Sequence, residues 1–179
     1  MQTSSPLALV RCLLLGLALL GSGLAQAQDL ETAQAQWLQG KRQQALDTVQ
    51  QALAKSPNDA KLRFARAVMQ MDLGRTAEAE AGLQALTQDF PDLADPYNNL
   101  AVLHAARGEL DQARAALEQA LRLQPDHLQA QENLGDVLLR LASRAYGLAL
   151  RQGHGDTSTL QRKLEQLQTL IKEPTGAQR

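Results

Sequence analysis

The feature that most constrains this chain is a set of residues that recurs three times at a period of 34 positions. The recurring residues are Gly40, Gly74 and Gly108; Ala45, Ala79 and Ala113; and Pro57, Pro91 and Pro125. A fixed period of this size indicates one supersecondary unit that is copied and stacked on its neighbours. Because such an array presents a long surface and not a catalytic pocket, binding is the first functional hypothesis.

Each recurring residue has a physical role in a helix–turn–helix unit. The glycine follows an apolar-periodic stretch, where it can take the left-handed conformation that ends a helix without a Cβ clash. The alanine lies one turn into a second helix, and its small side chain lets two antiparallel helices approach closely. The proline ends that helix because it lacks an N–H and disfavours helix in the residue before it. Asn58, Asp92 and Asp126 follow the prolines, and their class favours turns and helix N-caps.

The spacing and the residues resemble the tetratricopeptide repeat (TPR), from Gln28 to about Arg151. The third repeat matches the motif best, at Tyr97, Leu100, Ala101, Gly108, Ala113, Leu117, Ala120 and Pro125. A fourth repeat retains only Leu134, Gly135 and Leu138. The resemblance implies an all-α, right-handed helical solenoid of about 3–3.5 repeats with C-terminal capping helices. The repeats are predicted at about 28–59, 60–93, 94–127 and, as a partial repeat, 128–151.

The first helices of the first two repeats depart from the family pattern. Sites that usually hold large apolar residues hold Asp29, Thr32, Ala33 and Gln36, and then Arg63, Arg66, Ala67 and Gln70. The apolar stripes are instead Leu30, Ala33 and Trp37, and Phe64, Ala67 and Met71. Because these stripes are rotated by about one residue from the third repeat, we expect the first two repeats to pack with a shifted face.

Residues 1–27 have the three-part pattern of a cleavable secretory signal peptide. A polar start with one arginine precedes the apolar run Cys12–Leu20, and Ala25-Gln26-Ala27 ends the segment, so cleavage is predicted after Ala27. A transmembrane anchor is the alternative, but the run is shorter than the roughly 20 residues of a span. Cys12 lies at the start of the run and not at the cleavage point, so no lipid anchor is predicted, and the mature chain has no cysteine.

Past the third repeat, Ala142 occupies the place of the turn glycine, and the apolar stripe continues. The segment 128–151 is therefore either one long helix or two helices joined at a kink, with Gly147 as the weak point. A loop is predicted at 152–158, an amphipathic helix at 159–173 and a disordered tail at 174–179. We expect the amphipathic helix to fold back on the array; otherwise it docks on a partner, or on its own copy through Leu160, Leu164, Leu167 and Ile171.

No constellation of residues indicates catalysis, a cofactor or a metal. After cleavage, 17 basic side chains face 19 acidic ones, so no basic stripe suggests a nucleic-acid partner. His104 is predicted to be a half-buried, hydrogen-bonded histidine of the repeat, and His127 to lie in a turn between repeats. His154 lies beside Asp156 in a glycine-containing loop that offers too few ligands for a metal. The chain is therefore predicted not to be an enzyme.

A binding surface is instead implied by the resemblance, in which the first helix of each repeat lines the concave face. The matching positions here are Lys61, Phe64, Val68, Met71, Asp95, Asn98, Val102, Ala105, Gln129, Glu132 and Asp136. Phe64, Val68 and Met71 are alternatively core residues, and Asn98 is alternatively a surface or helix-start residue. The row of Arg63, Arg66 and Gln70 either recognises acidic partners or packs against a helix that bears Glu78 and Glu80.

These expectations combine into a non-catalytic periplasmic scaffold that binds a protein or peptide on its concave face. The alternative is a self-associating structural or accessory subunit of a cell-envelope assembly, such as pilus, polysaccharide or peptidoglycan machinery. The repeat period and the export signal support both hypotheses. Neither names the partner or the oligomeric state.

Overall fold

The structure is a computed structural model, and it describes residues 28–153 and 157–172. Those residues form eight helices and no strand. The helices are α1 (28–38), α2 (Arg42–Lys55), α3 (Ala60–Asp72), α4 (Thr76–Asp89), α5 (Ala94–Ala106), α6 (Leu110–Leu123), α7 (Leu128–Gln152) and α8 (Thr157–Lys172). The predicted signal peptide, the tail at 174–179 and His154 lie outside the described residues.

The helices repeat with the period of the sequence. The helices α2, α4 and α6 are each 14 residues long, and each begins 34 residues after the last. The helices α3 and α5 are each 13 residues long with the same offset. This arrangement of paired helices confirms the predicted all-α fold of the TPR type.

The turns inside the repeats are built alike. Gly40, Gly74 and Gly108 have φ angles of +77°, +73° and +78°, as predicted for left-handed glycines. The next backbone N–H in each turn donates to a carbonyl five residues back, at 2.9 Å from Lys41 to Gln36, 2.8 Å from Arg75 to Gln70 and 3.0 Å from Glu109 to His104. These bonds satisfy carbonyls that the end of a helix leaves without a partner.

The turns between repeats differ in their helix caps. The residues that precede α3, α5 and α7 are Asp59, Leu93 and His127. Asp59 accepts a hydrogen bond from the backbone N–H of Leu62 at 3.0 Å, and His127 Nδ1 accepts one from Ala130 at 3.3 Å. The prediction that Asn58, Asp92 and Asp126 cap these helices was wrong, because the proline turn places the N-cap one residue later.

Two compact units divide at Gly82 and Leu83, and each has its own apolar core. The core of the N-terminal unit contains Ala33, Ala45, Leu46, Val49, Ala52, Leu53, Leu62 and Met69. The core of the C-terminal unit contains Ala94, Ala101, Leu110, Ala113, Leu117, Ala120, Ala130 and Val137. Small and aliphatic side chains form both cores, which suits helices that pack closely.

The predicted shift of the packed face in the first two repeats was wrong. The buried alanines Ala33, Ala67 and Ala101 keep the 34-residue register through all three repeats. Leu62 and Met69 of α3 are buried, whereas Phe64 and Met71 are only partly buried. The apolar residues of α3 that are buried are therefore not the ones that the predicted stripe contained, apart from Ala67.

Gln70 replaces the large apolar residue that the family places at its position. It is 5% exposed, and its Nε2 donates to Glu78 Oε2 on α4 at 2.8 Å. Of the two interpretations of the row that contains Gln70, this bond favours packing against the neighbouring helix. Arg63 and Arg66, in the same row, are partly buried.

The C-terminal segment 128–151 belongs to a single helix. The helix α7 continues through Ala142 and ends at Gln152, and the next residue, Gly153, has a φ of +67°. The helix α8 folds back on α7, with Lys163 Nζ lying 5.7 Å from the centroid of the Tyr146 ring. Within the described ranges, every helix is too short or too polar to cross a membrane.

Candidate functional site

An apolar cavity of about 440 Å³ lies between α1 and α3 in the N-terminal unit. Trp37 and Leu38 of α1 form one wall, and Phe64 and Val68 of α3 form the other. Leu38 is 88% exposed, which is a large exposed fraction for an aliphatic side chain. The cavity can therefore accept an apolar group from solvent.

Phe64 and Val68 lie on this cavity because of their positions on α3. They are four residues apart, so they share one helix face. The neighbouring face carries Leu62 and Met69, whose burial in the core fixes the rotation of the helix. Phe64 and Val68 are left half-buried at the cavity, outside the buried core cluster. Lys61 is exposed one turn before Phe64 and does not line the cavity.

The first residue of α2 places a cation over one wall residue of this apolar cavity. The Arg42 guanidinium lies 5.0 Å from the centroid of the Trp37 ring. Such a cation–π contact restrains the indole at an exposed site. The contact therefore favours the indole position that forms the cavity wall.

In the C-terminal unit, Asn98 joins two helices. Asn98 is 6% exposed, and its Oδ1 accepts a hydrogen bond from Asn133 Nδ2 at 2.9 Å. Its amide therefore ties α5 to α7. Val102, one turn further along α5, is 39% exposed and lies at the surface.

A smaller cavity, of about 140 Å³, lies beside this asparagine pair. Val102, Ala105, Asp136 and Arg140 are among the residues that line it. Arg140 Nη1 donates to the Ala105 carbonyl oxygen at 2.9 Å, which places a guanidinium group and the Asp136 carboxylate on one cavity. This cavity presents both signs of charge beside an apolar side chain.

Sequence reasoning missed Asn133 and Arg140 as members of this surface. Asn133 follows Asn98 by 35 residues, and Arg140 follows Ala105 by the same distance. Both hydrogen bonds join residues that are 35 positions apart, which is close to the repeat period. They therefore define which residues of α5 and α7 lie side by side. The period alone therefore contained a signal that could have paired these residues.

The remaining predicted residues lie at the start of α5 and α7. The exposed Asp95 contacts His127 Nε2 through Oδ1 at 3.0 Å. Since His127 Nδ1 accepts the cap bond from Ala130, the hydrogen of the neutral ring lies on Nε2 and is donated to Asp95. Gln129 and Glu132 are exposed, with 3.4 Å between Gln129 Nε2 and Glu132 Oε2.

His104 is half-buried and hydrogen-bonded, as predicted. Its Nδ1 lies 2.7 Å from Glu109 Oε2, and Arg107 donates to the same carboxylate oxygen at 2.8 and 3.0 Å. The Arg107 hydrogen bonds, followed by that of His104, lower the pKa of Glu109 from 4.5 to about 2. This cluster joins the end of α5 to the turn at Gly108. Among the described residues, no group of three or more histidine, cysteine, aspartate or glutamate side chains could hold a metal.

Two family models match the chain, and both describe the tetratricopeptide repeat. One matches residues 36–102 and the other residues 94–127, so together they span slightly more than half of the sequence. The chain belongs to the tetratricopeptide-repeat family. No curated protein sequence matches it.

Solved structures show the same fold at low sequence identity. The first TPR domain of Spaghetti (RPAP3), bound to the HSP90 peptide SRMEEVD, is 22% identical with a TM-score of 0.60, over 65% of this chain and 93% of that one. The Yersinia enterocolitica type III secretion chaperone SycD, in complex with a YopD peptide, is 16% identical with a TM-score of 0.57, over 64% and 92%. MamA from Desulfovibrio magneticus is 17% identical with a TM-score of 0.57, over 81% and 75%.

Proposed function

We propose that this chain is a non-catalytic scaffold that binds a protein or peptide partner on the first helices of its repeats. The observation that supports the proposal most is the open apolar cavity formed by Trp37, Leu38, Phe64 and Val68. Two of the similar structures contain a bound peptide. The fold they share with this chain is typically non-catalytic and mediates protein interactions.

The two units offer different chemistry to a partner. The cavity at Phe64 and Val68 fits an apolar anchor side chain, and the burial of such anchors dominates the binding energy of most interfaces. The surface at Val102, Asp136 and Arg140 offers an apolar contact beside charged groups, which suits a polar segment. We propose that each of these two surfaces can bind a partner without the other.

Peptide selection on the purified chain tests this proposal. A displayed random-peptide library yields binders, and their affinities are then measured against Val68→Lys and Val102→Lys. We expect at least one variant to weaken binding about tenfold or more, because lysine brings a charge to an apolar contact. Ala54→Lys and Ala115→Lys are matched controls on exposed positions of α2 and α6. Equal losses in the controls, or no loss in either valine variant, would contradict the proposal.

We also propose that the protein is periplasmic, on the sequence pattern of residues 1–27. Expression in its native host, cell fractionation and intact-mass measurement test this directly. The expected product begins at Gln28 and is released with the periplasmic fraction. A cytoplasmic protein that retains Met1 would overturn the export proposal and leave the binding proposal unaffected.

Self-association through α8 is a second candidate. Leu160, Leu164 and Leu167 are partly buried, whereas Leu170 and Ile171 are 49% and 38% exposed. These two side chains leave an apolar edge through which a second copy could pack. Sedimentation equilibrium distinguishes the candidates, because a dimer through this edge is lost in Leu170→Glu, and a monomer at all concentrations rejects it.

A further inference from the structure

A cavity of about 500 Å³ lies between α7 and α8 in the C-terminal unit, lined by residues that the proposed binding surfaces mostly do not use. The α7 side of the cavity consists of Arg140, Ser143, Arg144, Gly147 and Arg151. Their spacing of three, four, seven and eleven residues from Arg140 places them along one face of the helix. The cavity therefore follows the C-terminal half of α7.

Three guanidinium groups and no carboxylate line this cavity. Arg144 donates to Asp111 Oδ2 on α6 at 2.7 Å, in a pair whose side chains are 49% and 60% exposed. Arg140 donates one N–H to the Ala105 carbonyl oxygen and also lines the smaller cavity with Asp136, and Arg151 is exposed. The two neighbouring carboxylates, Asp111 and Asp136, do not balance three cations, so the residues around the cavity carry a net positive charge.

The opposite wall of the cavity is largely apolar. Leu110 at the start of α6 and Leu164 and Ile171 of α8 contribute aliphatic side chains, and Gln168 of α8 contributes one amide. A small inorganic anion would make no use of these groups. A ligand that places a carboxylate beside an aliphatic or aromatic group would use both walls.

Gly147 is one of the residues that line this cavity. A glycine inside a helix destabilises it relative to alanine. A Cβ at Gly147 would meet no heavy atom within 4 Å, so packing does not require glycine at this position. The missing side chain leaves space that any larger residue would fill.

We propose that the α7–α8 cavity binds an acidic peptide segment of a protein partner. Its carboxylates pair with the guanidinium groups of Arg140, Arg144 and Arg151, and its neighbouring apolar side chain contacts Leu110, Leu164 and Ile171. Guanidinium groups suit this ligand because their planar donors match the two oxygens of a carboxylate. This site is separate from the apolar cavity at Phe64 but shares Arg140 with the surface at Val102, so a change at Arg151 tests it without altering either proposed binding surface.

Fluorescence anisotropy with two defined peptides tests the proposal on the purified full chain. The probes are labelled GSELEFGS and the matched GSQLQFGS, in which glutamine replaces both glutamates. We expect the acidic peptide to bind at least about tenfold more tightly, with affinity that falls as salt rises. This test uses the unmodified chain, and equal affinity for the two peptides would overturn the proposal.

Protein variants locate the binding to the cavity. Arg151→Gln removes one lining cation, and Arg162→Gln removes an exposed cation of α8 that does not line it. Gly147→Phe adds a large side chain to the lining and keeps all three arginines. We expect Arg151→Gln and Gly147→Phe to weaken the acidic peptide about fivefold or more, and Arg162→Gln to have little effect. Equal loss in Arg151→Gln and Arg162→Gln would show attraction to net charge alone and reject the site.

A membrane surface is the competing source of anionic groups. Vesicles of phosphatidylcholine with 30% phosphatidylglycerol (roughly the anionic content that attracts polybasic surfaces) serve as the second probe. The proposal predicts that Arg151→Gln binds these vesicles to the same extent as the wild type. Vesicle binding lost in Arg151→Gln, without acidic-peptide binding, would assign the cavity to lipid headgroups and overturn the proposal.

Discussion

Single residues at the turns determine how the helices of each repeat end. Gly108 takes a left-handed conformation, and the cluster of His104, Arg107 and Glu109 closes the same turn with short hydrogen bonds. The glycine was predictable from the sequence because its conformational role depends on one residue. The cluster was not, because it depends on which rotamers bring three side chains to one carboxylate oxygen.

The Glu109 carboxylate gives this turn a pH dependence. Its pKa in the folded chain is lowered to about 2 from 4.5, so the carboxylate stabilises the fold fully above the unfolded pKa. That contribution is lost as the pH falls from about 4.5 through about 2. The free energy of unfolding, measured with urea at pH 7 and pH 3, should therefore differ between wild type and Glu109→Gln more at pH 7 than at pH 3. Glu118→Gln, at an exposed position of α6, is the control; a difference for Glu109→Gln that does not change with pH would contradict the assignment.

Two glycines of the C-terminal unit should respond to alanine with opposite signs. Gly108→Ala forces a side chain into a φ of +78°, and we expect a loss of about 1–2 kcal/mol. Gly135→Ala lies inside α7, where a new Cβ meets nothing within 4 Å, and we expect a gain of about 0.5–1 kcal/mol. Denaturant unfolding of both variants is the measurement. A gain in stability for Gly108→Ala would show that the turn does not require a left-handed glycine, and a loss for Gly135→Ala would contradict the open surroundings of Gly135.

At the scale of the helices, the repeat period predicted which side chains are buried on the second helix of each repeat. Ala45, Ala79 and Ala113 are each 0% exposed, and so are the core residues four positions later, Val49, Leu83 and Leu117. The first helices were harder to predict because apolar residues alternate with arginines along α3. Periodicity in the sequence did not distinguish the face toward the core from the face toward the cavity. Packing of Leu62, Ala67 and Met69 decided between them.

The helix α6 supplies a direct measure of this packing. Leu117 is 0% exposed in the C-terminal core, and Leu117→Ala should cost about 2–5 kcal/mol through lost burial and the cavity left behind. Leu138 of α7 is 46% exposed, so Leu138→Ala should change the free energy of unfolding by less than about 1 kcal/mol. Chemical denaturation of both variants checks this, and similar losses would mean that α6 does not form the core.

At the scale of the whole molecule, the sequence predicted the fold class well and the location of the binding site poorly. The 34-residue period and the motif residues were sufficient for the all-α TPR class, because a repeat copies its own local signals. The site depended on contacts between repeats. Asn98 was predicted to face a partner, but the structure ties it to Asn133. The cavity at Trp37 and Phe64 depends on two helices whose sequences, read separately, do not show that they share a surface.

The central claim is that a partner binds on the first helices of the repeats. Photocrosslinking in the native host tests it most directly, with a benzoylphenylalanine probe at Lys61, Val102 or Gln129, which are all exposed. Probes at Ala54 and Ala115, exposed on α2 and α6, are the controls. We predict one protein captured from a first-helix probe and not from the controls. Equal capture from both sets of positions, or crosslinks to this chain alone, would contradict the claim.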